Sequence, residues 1–194
     1  MQSWSRILET DLGLAARAAY TEDPARTYHN WDHVLRLYWH AANTFGLDYD
    51  PDLDKAILAH DVIYDAEPDK ELRSAAWLSA QTGQDETIAK AHIAKTICHM
   101  PSDDNRMVLL DLADFLHPEL GSINLDKIAQ ESQALYGVTE AQFLTANVGF
   151  MTSMYDRIAN AQNSIGTADQ AWFRRILLGI RSAIDLAGKR LKAS

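Results

Sequence analysis

Apolar residues recur at spacings of three and four along almost the whole chain, and this period constrains the fold more than any other feature. Trp31, Val34, Leu35 and Tyr38 are one example of the pattern. Such spacing places apolar side chains on one face of an α-helix, whereas a half-buried β-strand needs strict alternation. No segment alternates for long enough to indicate a strand. The sequence therefore predicts an all-α fold.

Capping residues and glycines divide this pattern into about eight or nine helices. Thr139 and Gln142 have capping-box spacing, and Gly46, Gly83 and Gly137 mark helix ends. We expect helices at roughly 3–19, 30–45, 52–63, 69–82, 85–99, 103–116, 124–136, 139–160 and 168–191. The connections are short, so residues 1–194 are predicted to form a single domain. Its C-terminal helices, residues 120–194, are interpreted as core and lid, although an apolar stripe there could equally form a homo-oligomer contact.

Charge and composition exclude several classes of partner. The net charge is -9 and the isoelectric point is about 5.1, so the overall field repels nucleic acid and anionic membranes. No apolar run approaches the roughly 18 residues that a membrane span needs. The single cysteine, Cys98, excludes an internal disulfide framework, and no leader opens the chain. We expect a soluble, cytoplasmic protein that binds neither nucleic acid nor membrane.

Histidines and aspartates interrupt the helical pattern at three places. In "YHNWDHV", residues 28–34, His29 and His33 can face one space, although such a pair alone is more often surface or core. In "AILAHDVIYD", residues 56–65, His60 and Asp61 end an apolar run. In "VLLDLADFL", residues 108–116, Asp111 and Asp114 interrupt an apolar helix. Buried carboxylates are costly unless they are paired or bind metal.

Taken together, these side chains form a mixed nitrogen and oxygen ligand set. Such a set suits Mn, Fe, Co, Ni or Zn better than calcium, which prefers oxygen ligands alone. A bound cation would also offset the negative field for an anionic substrate. The sequence thus predicts a site for a divalent metal ion.

The order of these motifs resembles the HD superfamily of metal-dependent phosphohydrolases, and within it the small bacterial and phage HD phosphohydrolases. The match covers residues 24–116, where the resemblance places the metal site. The stretches "PARTYHNWDHV", "AHDVIYD", "ELRSA", "TICH" and "LLDLADFL" occur there in the family's order at similar spacing. "YHNWDHV" is also similar to the metal-site opening of the cyclic-nucleotide phosphodiesterases. The resemblance implies a helical HD-type domain with one or two divalent ions, magnesium included.

The resemblance also implies roles for individual residues. It makes His33, His60, Asp61 and Asp111 the metal ligands, with Asp114 as the alternative to Asp111. His29 falls where the phosphodiesterases keep the histidine that protonates the leaving oxygen. Further residues match family positions: Asp65 for activating water, His99 for a second metal or the phosphate, Arg26 for binding phosphate, and Glu71 and Ser74 for a supporting shell or the ligand. Lys70 is a further, weaker candidate for binding phosphate, with a solvated helix face as the alternative.

These residues lead to an expected activity with two alternatives. We expect metal-dependent hydrolysis of a phosphate ester, most readily a nucleoside monophosphate or a deoxynucleoside triphosphate, in which metal-activated water attacks phosphorus. The first alternative is a di-iron oxygenase on the same scaffold, which needs extra histidines. The second is a metal-binding or interaction module without catalysis. For His99, a helix C-terminal cation is the competing interpretation.

Overall fold

The computed structural model describes residue 4 and residues 6–193, and they form nine α-helices and no β-strand. The helices are α1 Asp11–Glu22, α2 Trp31–Trp39, α3 Pro51–Ala59, α4 Lys70–Thr82, α5 Thr87–Ala94, α6 Arg106–Asp111, α7 Gly121–Tyr136, α8 Glu140–Ala161 and α9 Thr167–Ala193. The all-α prediction with eight or nine helices is confirmed. Within the described residues, none of these helices has the length and apolar character needed to cross a bilayer.

The chain divides into two compact units between Ile97 and Cys98. The first unit contains α1–α5 and the second contains α6–α9. The single-domain interpretation of residues 1–194 stays a prediction.

Helix α3 forms the centre of the first unit, because it contacts α1, α2, α4 and α5. Its apolar residues are almost completely buried on every side, which is the burial pattern of a central helix. They are Leu53, Ala56, Ile57, Leu58 and Ala59. Any side chain that follows directly at the end of α3 therefore begins inside the core of this unit.

The first helix begins later than its apolar pattern predicts. A 3-10 helix, Arg6–Glu9, precedes it, and the Thr10 side chain accepts a hydrogen bond from the Gly13 amide at 3.3 Å. A Cβ atom at Gly13 would lie 2.2 Å from the Ile7 carbonyl oxygen, so only glycine allows this tight approach. The predicted range 3–19 thus contains two elements, and its residues 3 and 5 lie outside the described part.

Helix α9 organises the second unit, where it packs against α7, α8 and the 3-10 helix Ala113–Leu116. The predicted capping box at the start of α8 is confirmed: Thr139 accepts from the Gln142 amide, and the Gln142 side chain accepts from the Thr139 amide. The contact between α9 and the 3-10 helix is very close, because a Cβ atom at Gly179 would lie 1.8 Å from the Phe115 carbonyl oxygen.

Two of the predicted helices that end early carry candidate metal ligands at their ends. The range 52–63 ends as a helix at Ala59, so His60 stands at the C-cap of α3. The range 103–116 divides after Asp111, and the chain continues as a 3-10 helix from Ala113. Asp111 and Asp114 therefore do not share one continuous α-helix, as the sequence pattern predicted.

Candidate metal centre

The start of α2 fixes the position of His33. Asn30 is the N-cap, and its side-chain oxygen accepts hydrogen bonds from the amides of Asp32 at 3.0 Å and His33 at 3.3 Å. Asn is among the strongest N-cap residues because its short side chain satisfies these exposed amides. His33 consequently lies in the first turn of α2, and its ring points into the core with 1% of its surface exposed.

The end of α3 fixes both the position and the tautomer of His60, which is 0% exposed. Its Nδ1 atom lies 3.0 Å from the Ile57 carbonyl oxygen. A carbonyl can only accept, so Nδ1 carries the proton and Nε2 keeps a lone pair in the neutral ring. A backbone contact of this kind is the usual support behind a metal-binding histidine.

One donor atom of His33 and one of Asp61 each lie close to the buried Nε2 atom of His60. Nε2 of His60 lies 3.3 Å from Nε2 of His33 and 3.3 Å from Oδ2 of Asp61. In a neutral His60, its Nε2 atom and the Asp61 carboxylate both present electron pairs to each other. Only a proton or a cation between them makes that arrangement favourable, and little water reaches these side chains.

Tyr20 and Arg26 hold the turn that carries Asp61. The Asp61 amide donates to the Tyr20 hydroxyl at 3.2 Å. Arg26 is buried and donates to the carbonyl oxygens of His29, Asp61 and Val62. The predicted contact of Arg26 with phosphate stays a prediction. The contacts of Arg26 with Asp61 and Val62 could not be predicted from the sequence, since they join residues about 35 apart in the chain.

His29 and Lys70 belong to one stack of side chains beside the histidine pair. The His29 ring stacks on Tyr64, with ring centroids 4.0 Å apart and planes inclined by 19°. The Lys70 ammonium lies 3.7 Å from the centroid of the same Tyr64 ring, and because His29 occupies one face, Lys70 must occupy the other. The His29 ring also lies 5.8 Å from the His33 ring, centroid to centroid. Tyr64 was not among the residues selected from the sequence.

Asp65 pairs with Arg73 instead of lying alone near the histidines. The Arg73 guanidinium donates to both carboxylate oxygens, and the Glu67 amide donates to Oδ1 at 3.0 Å. The hydrogen bond from Arg73, with the Glu67 amide adding to it, lowers the pKa of the Asp65 carboxyl. A lowered pKa weakens a general base, so this geometry favours a structural role. Its predicted activation of water stays a prediction.

Ser74 supports the turn after the His60–Asp61 pair. Its hydroxyl accepts from the Ile63 amide at 3.0 Å and lies 3.3 Å from the Ile63 carbonyl oxygen, and the residue is completely buried. Because Ile63 follows Asp61 by two residues, Ser74 fixes the backbone of the turn from α4. This placement agrees with the supporting shell expected for Ser74, and the same expectation for Glu71 stays a prediction.

His99 and Asp111 form a pair within the second unit. Nε2 of His99 lies 2.8 Å from Oδ2 of Asp111, and both side chains are mostly buried. His99 follows α5 with φ of 52°, a left-handed conformation that few residues other than glycine adopt. The competing interpretation required His99 to lie in the last turn of a helix. His99 does not, because α5 ends at Ala94. The assignment of Asp111 to the ligand set of His33, His60 and Asp61 stays a prediction, as does its alternative Asp114.

Comparison of the chain with protein-family models, with curated proteins and with solved structures gives no match. The geometry of the side chains and the order of the motifs therefore carry the functional argument.

Proposed function

We propose that the protein is a metal-dependent phosphohydrolase of the HD type that cleaves a phosphate ester, most readily a nucleotide. One observation carries the proposal: Nε2 of the buried His60 lies 3.3 Å from Nε2 of His33 and 3.3 Å from Oδ2 of Asp61. The ordered motifs that resemble the HD superfamily supply the choice of phosphate chemistry.

The chemistry of these donors fits a borderline divalent cation. Two imidazoles and one carboxylate are ligands for Mn, Fe, Co, Ni or Zn, whereas calcium sites are built from oxygen. His60 already has the required tautomer, since its Nδ1 proton faces the Ile57 carbonyl. In this proposal His33, His60 and Asp61 hold the ion, and Asp111 is the fourth ligand that the resemblance implies. When bound, the ion polarises a phosphoryl oxygen and makes water acidic enough to supply hydroxide near neutral pH.

His29 and Lys70 give the neighbourhood of these donors the other groups that the reaction needs. Imidazole can exchange a proton near neutral pH, and His29 is the histidine adjacent to His33, so we assign it the proton for the leaving oxygen. Lys70 brings a positive charge to the far face of Tyr64, which favours an anionic substrate in a chain of net charge -9. The cytoplasm is the proposed compartment because the lone cysteine suits a reducing environment.

The direct test is release of phosphate from nucleoside mono- and triphosphates with Mn²⁺, Co²⁺, Mg²⁺ or Zn²⁺. Asp61→Asn removes the carboxylate charge with little change in shape, and Asp103→Asn makes the same change at an exposed position. We expect release that EDTA and Asp61→Asn abolish and that Asp103→Asn retains.

Two other results would select different functions. If the iron-loaded protein consumes oxygen and releases no phosphate, the di-iron oxygenase replaces this proposal. If the protein binds metal tightly but turns over neither class of substrate, the non-catalytic module is correct. Both results contradict phosphohydrolase activity.

A further inference from the structure

Arg26 is a buried cation whose hydrogen-bonding edges face the protein backbone. Nε donates to the His29 carbonyl oxygen at 2.7 Å, Nη2 to the Asp61 carbonyl oxygen at 2.5 Å, and Nη1 to the Val62 carbonyl oxygen at 3.2 Å. The residue is 5% exposed. All three nitrogens of the guanidinium group therefore bind main chain within the first unit.

Aromatic rings complete the surroundings of this guanidinium. Its central carbon lies 4.6 Å from the centroid of Tyr20 and 5.6 Å from that of Tyr64. The negative faces of aromatic rings stabilise a cation, and carbonyl oxygens are the negative ends of peptide dipoles. These contacts compensate a charge that would otherwise be costly to bury. The site is thus built for arginine without any external anion.

The geometry also disfavours direct binding of phosphate by Arg26. Arginine holds phosphate through two parallel N–H groups on one edge of the guanidinium. The edge formed by Nε and Nη2 donates to His29 and Asp61, and the edge formed by Nη1 and Nη2 donates to Val62 and Asp61. A phosphate would have to replace at least one of these buried carbonyl contacts.

We propose that Arg26 is a positioning residue that fixes the spacing between the His29 segment and the turn that carries Asp61. It joins two segments about 35 residues apart, and it contacts the same Tyr20 whose hydroxyl accepts from the Asp61 amide. Its effect on metal binding rests on the proposed function, whereas its effect on the turn does not.

The test compares Arg26→Gln and Arg26→Lys with Arg17→Gln, a matched change at an exposed arginine of α1. The first readout is amide hydrogen exchange at Asp61 and Ile63 in the metal-free protein, relative to the globally protected core. The second is the dissociation constant for Mn²⁺, and the third is inhibition of phosphate release by inorganic phosphate. Arg26→Lys keeps the positive charge, so the same three readouts can be measured on this variant if Arg26→Gln does not fold.

We expect both Arg26 variants to exchange the Asp61 and Ile63 amides at least about tenfold faster and to bind Mn²⁺ about 10–100-fold more weakly, the range seen when outer-shell partners of metal ligands are lost. Inhibition by inorganic phosphate should stay unchanged, and Arg17→Gln should resemble the parent protein.

Unchanged amide exchange would overturn the inference, whatever happens to metal affinity. Weaker inhibition by phosphate with unchanged exchange would instead identify Arg26 as a phosphate ligand. If the parent protein binds no Mn²⁺, the proposed function fails, but amide exchange still decides the role of Arg26.

Discussion

The Nε2 atoms of His33 and His60 lie 3.3 Å apart although 27 residues separate them in the chain. Each ring lies at a helix end. His33 is in the first turn of α2, and His60 is the C-cap of α3. Helix ends suit this purpose because the chain direction changes there, so adjacent residues such as His60 and Asp61 can reach one point. The two histidine rings form the centre of the candidate metal site.

The buried carboxylate of Asp54 should lower the free energy of unfolding at neutral pH. Its side chain is fully buried. Neither carboxyl oxygen lies in hydrogen-bonding geometry with a group of the described residues. Burial raises the pKa of this carboxyl above the usual 3.8, although the nearby Tyr38 and Tyr49 hydroxyls oppose the shift. We expect Asp54→Asn to increase the free energy of unfolding by about 1–3 kcal/mol at pH 7, since the buried charge disappears.

The pH dependence of that difference has a defined sign. A raised folded pKa means that the native state binds the proton more tightly, so the parent protein loses stability as pH rises from 3.8 through the folded value. The advantage of Asp54→Asn should grow over this window and then level off. Urea unfolding at several pH values measures it, with Asp103→Asn as the exposed control. An advantage that does not vary with pH would contradict the explanation.

The Asp65–Arg73 pair should stabilise the loop between α3 and α4 rather than act in catalysis. Asp65→Asn and Arg73→Gln each break the pair. Because Arg73 lowers the pKa of Asp65, the pair's contribution exists above the usual pKa of 3.8 and is lost as pH falls through the folded value. Both side chains are partly exposed, so we expect a small loss of stability and similar, modest effects on kcat.

Steady-state kinetics of the two variants distinguish the roles of Asp65. A collapse of kcat in Asp65→Asn, with nearly normal kcat in Arg73→Gln, would show that the carboxylate itself serves the reaction. Equal losses of kcat in Asp65→Asn and Arg73→Gln would show that the broken ion pair causes both effects.

Ser74→Ala should weaken the turn after His60 and Asp61. The variant leaves the Ile63 amide without its buried acceptor, which costs about 1–3 kcal/mol. Ser79→Ala, in the same helix, removes a more exposed contact with the Asp85 carbonyl and should cost much less. Chemical denaturation measures both losses. A Ser74→Ala protein as stable as Ser79→Ala would mean that the hydroxyl does not fix the turn.

Two glycines of α9 should respond oppositely to alanine. At Gly179 the new Cβ would lie 1.8 Å from the Phe115 carbonyl oxygen, so we expect a loss of about 3 kcal/mol or more. At Gly188 nothing lies within 4 Å, and alanine should stabilise the helix by up to about 1 kcal/mol. Thermal unfolding of both variants gives the comparison. Similar melting temperatures for the two would contradict the close packing of α9 against Phe115.

Local features of the fold could be predicted from the sequence, whereas long-range contacts could not. Asn30 and Thr139 act as helix caps within a few residues, so their patterns were sufficient. The division after Asp111 was missed because it accompanies packing of the following 3-10 helix against the distant Gly179. An apolar run alone does not reveal such a break.

In the candidate site, too, some features could be predicted from the sequence and others could not. The order of the motifs selected His33, His60 and Asp61 as a group, and Nε2 of His60 lies 3.3 Å from a donor atom of each of the other two, although binding of metal by them stays a prediction. The partners of Arg26 and Asp65 could not be read from the sequence. An arginine near a site suggests phosphate by its charge alone, and only the packed structure gives its hydrogen bonds to carbonyl oxygens.

Titration of the metal-free protein with Co²⁺, followed by its visible absorption spectrum, shows whether His33 and His60 bind a metal ion. We expect stoichiometric binding with the spectrum of a site that contains nitrogen ligands, and loss of that binding in His33→Gln and His60→Gln. The same change at the partly exposed His117, which contacts Glu119, should leave the titration unchanged. Binding that persists unaltered in the His33 and His60 variants, or no binding by the parent protein, would contradict the assignment of these residues as the metal centre.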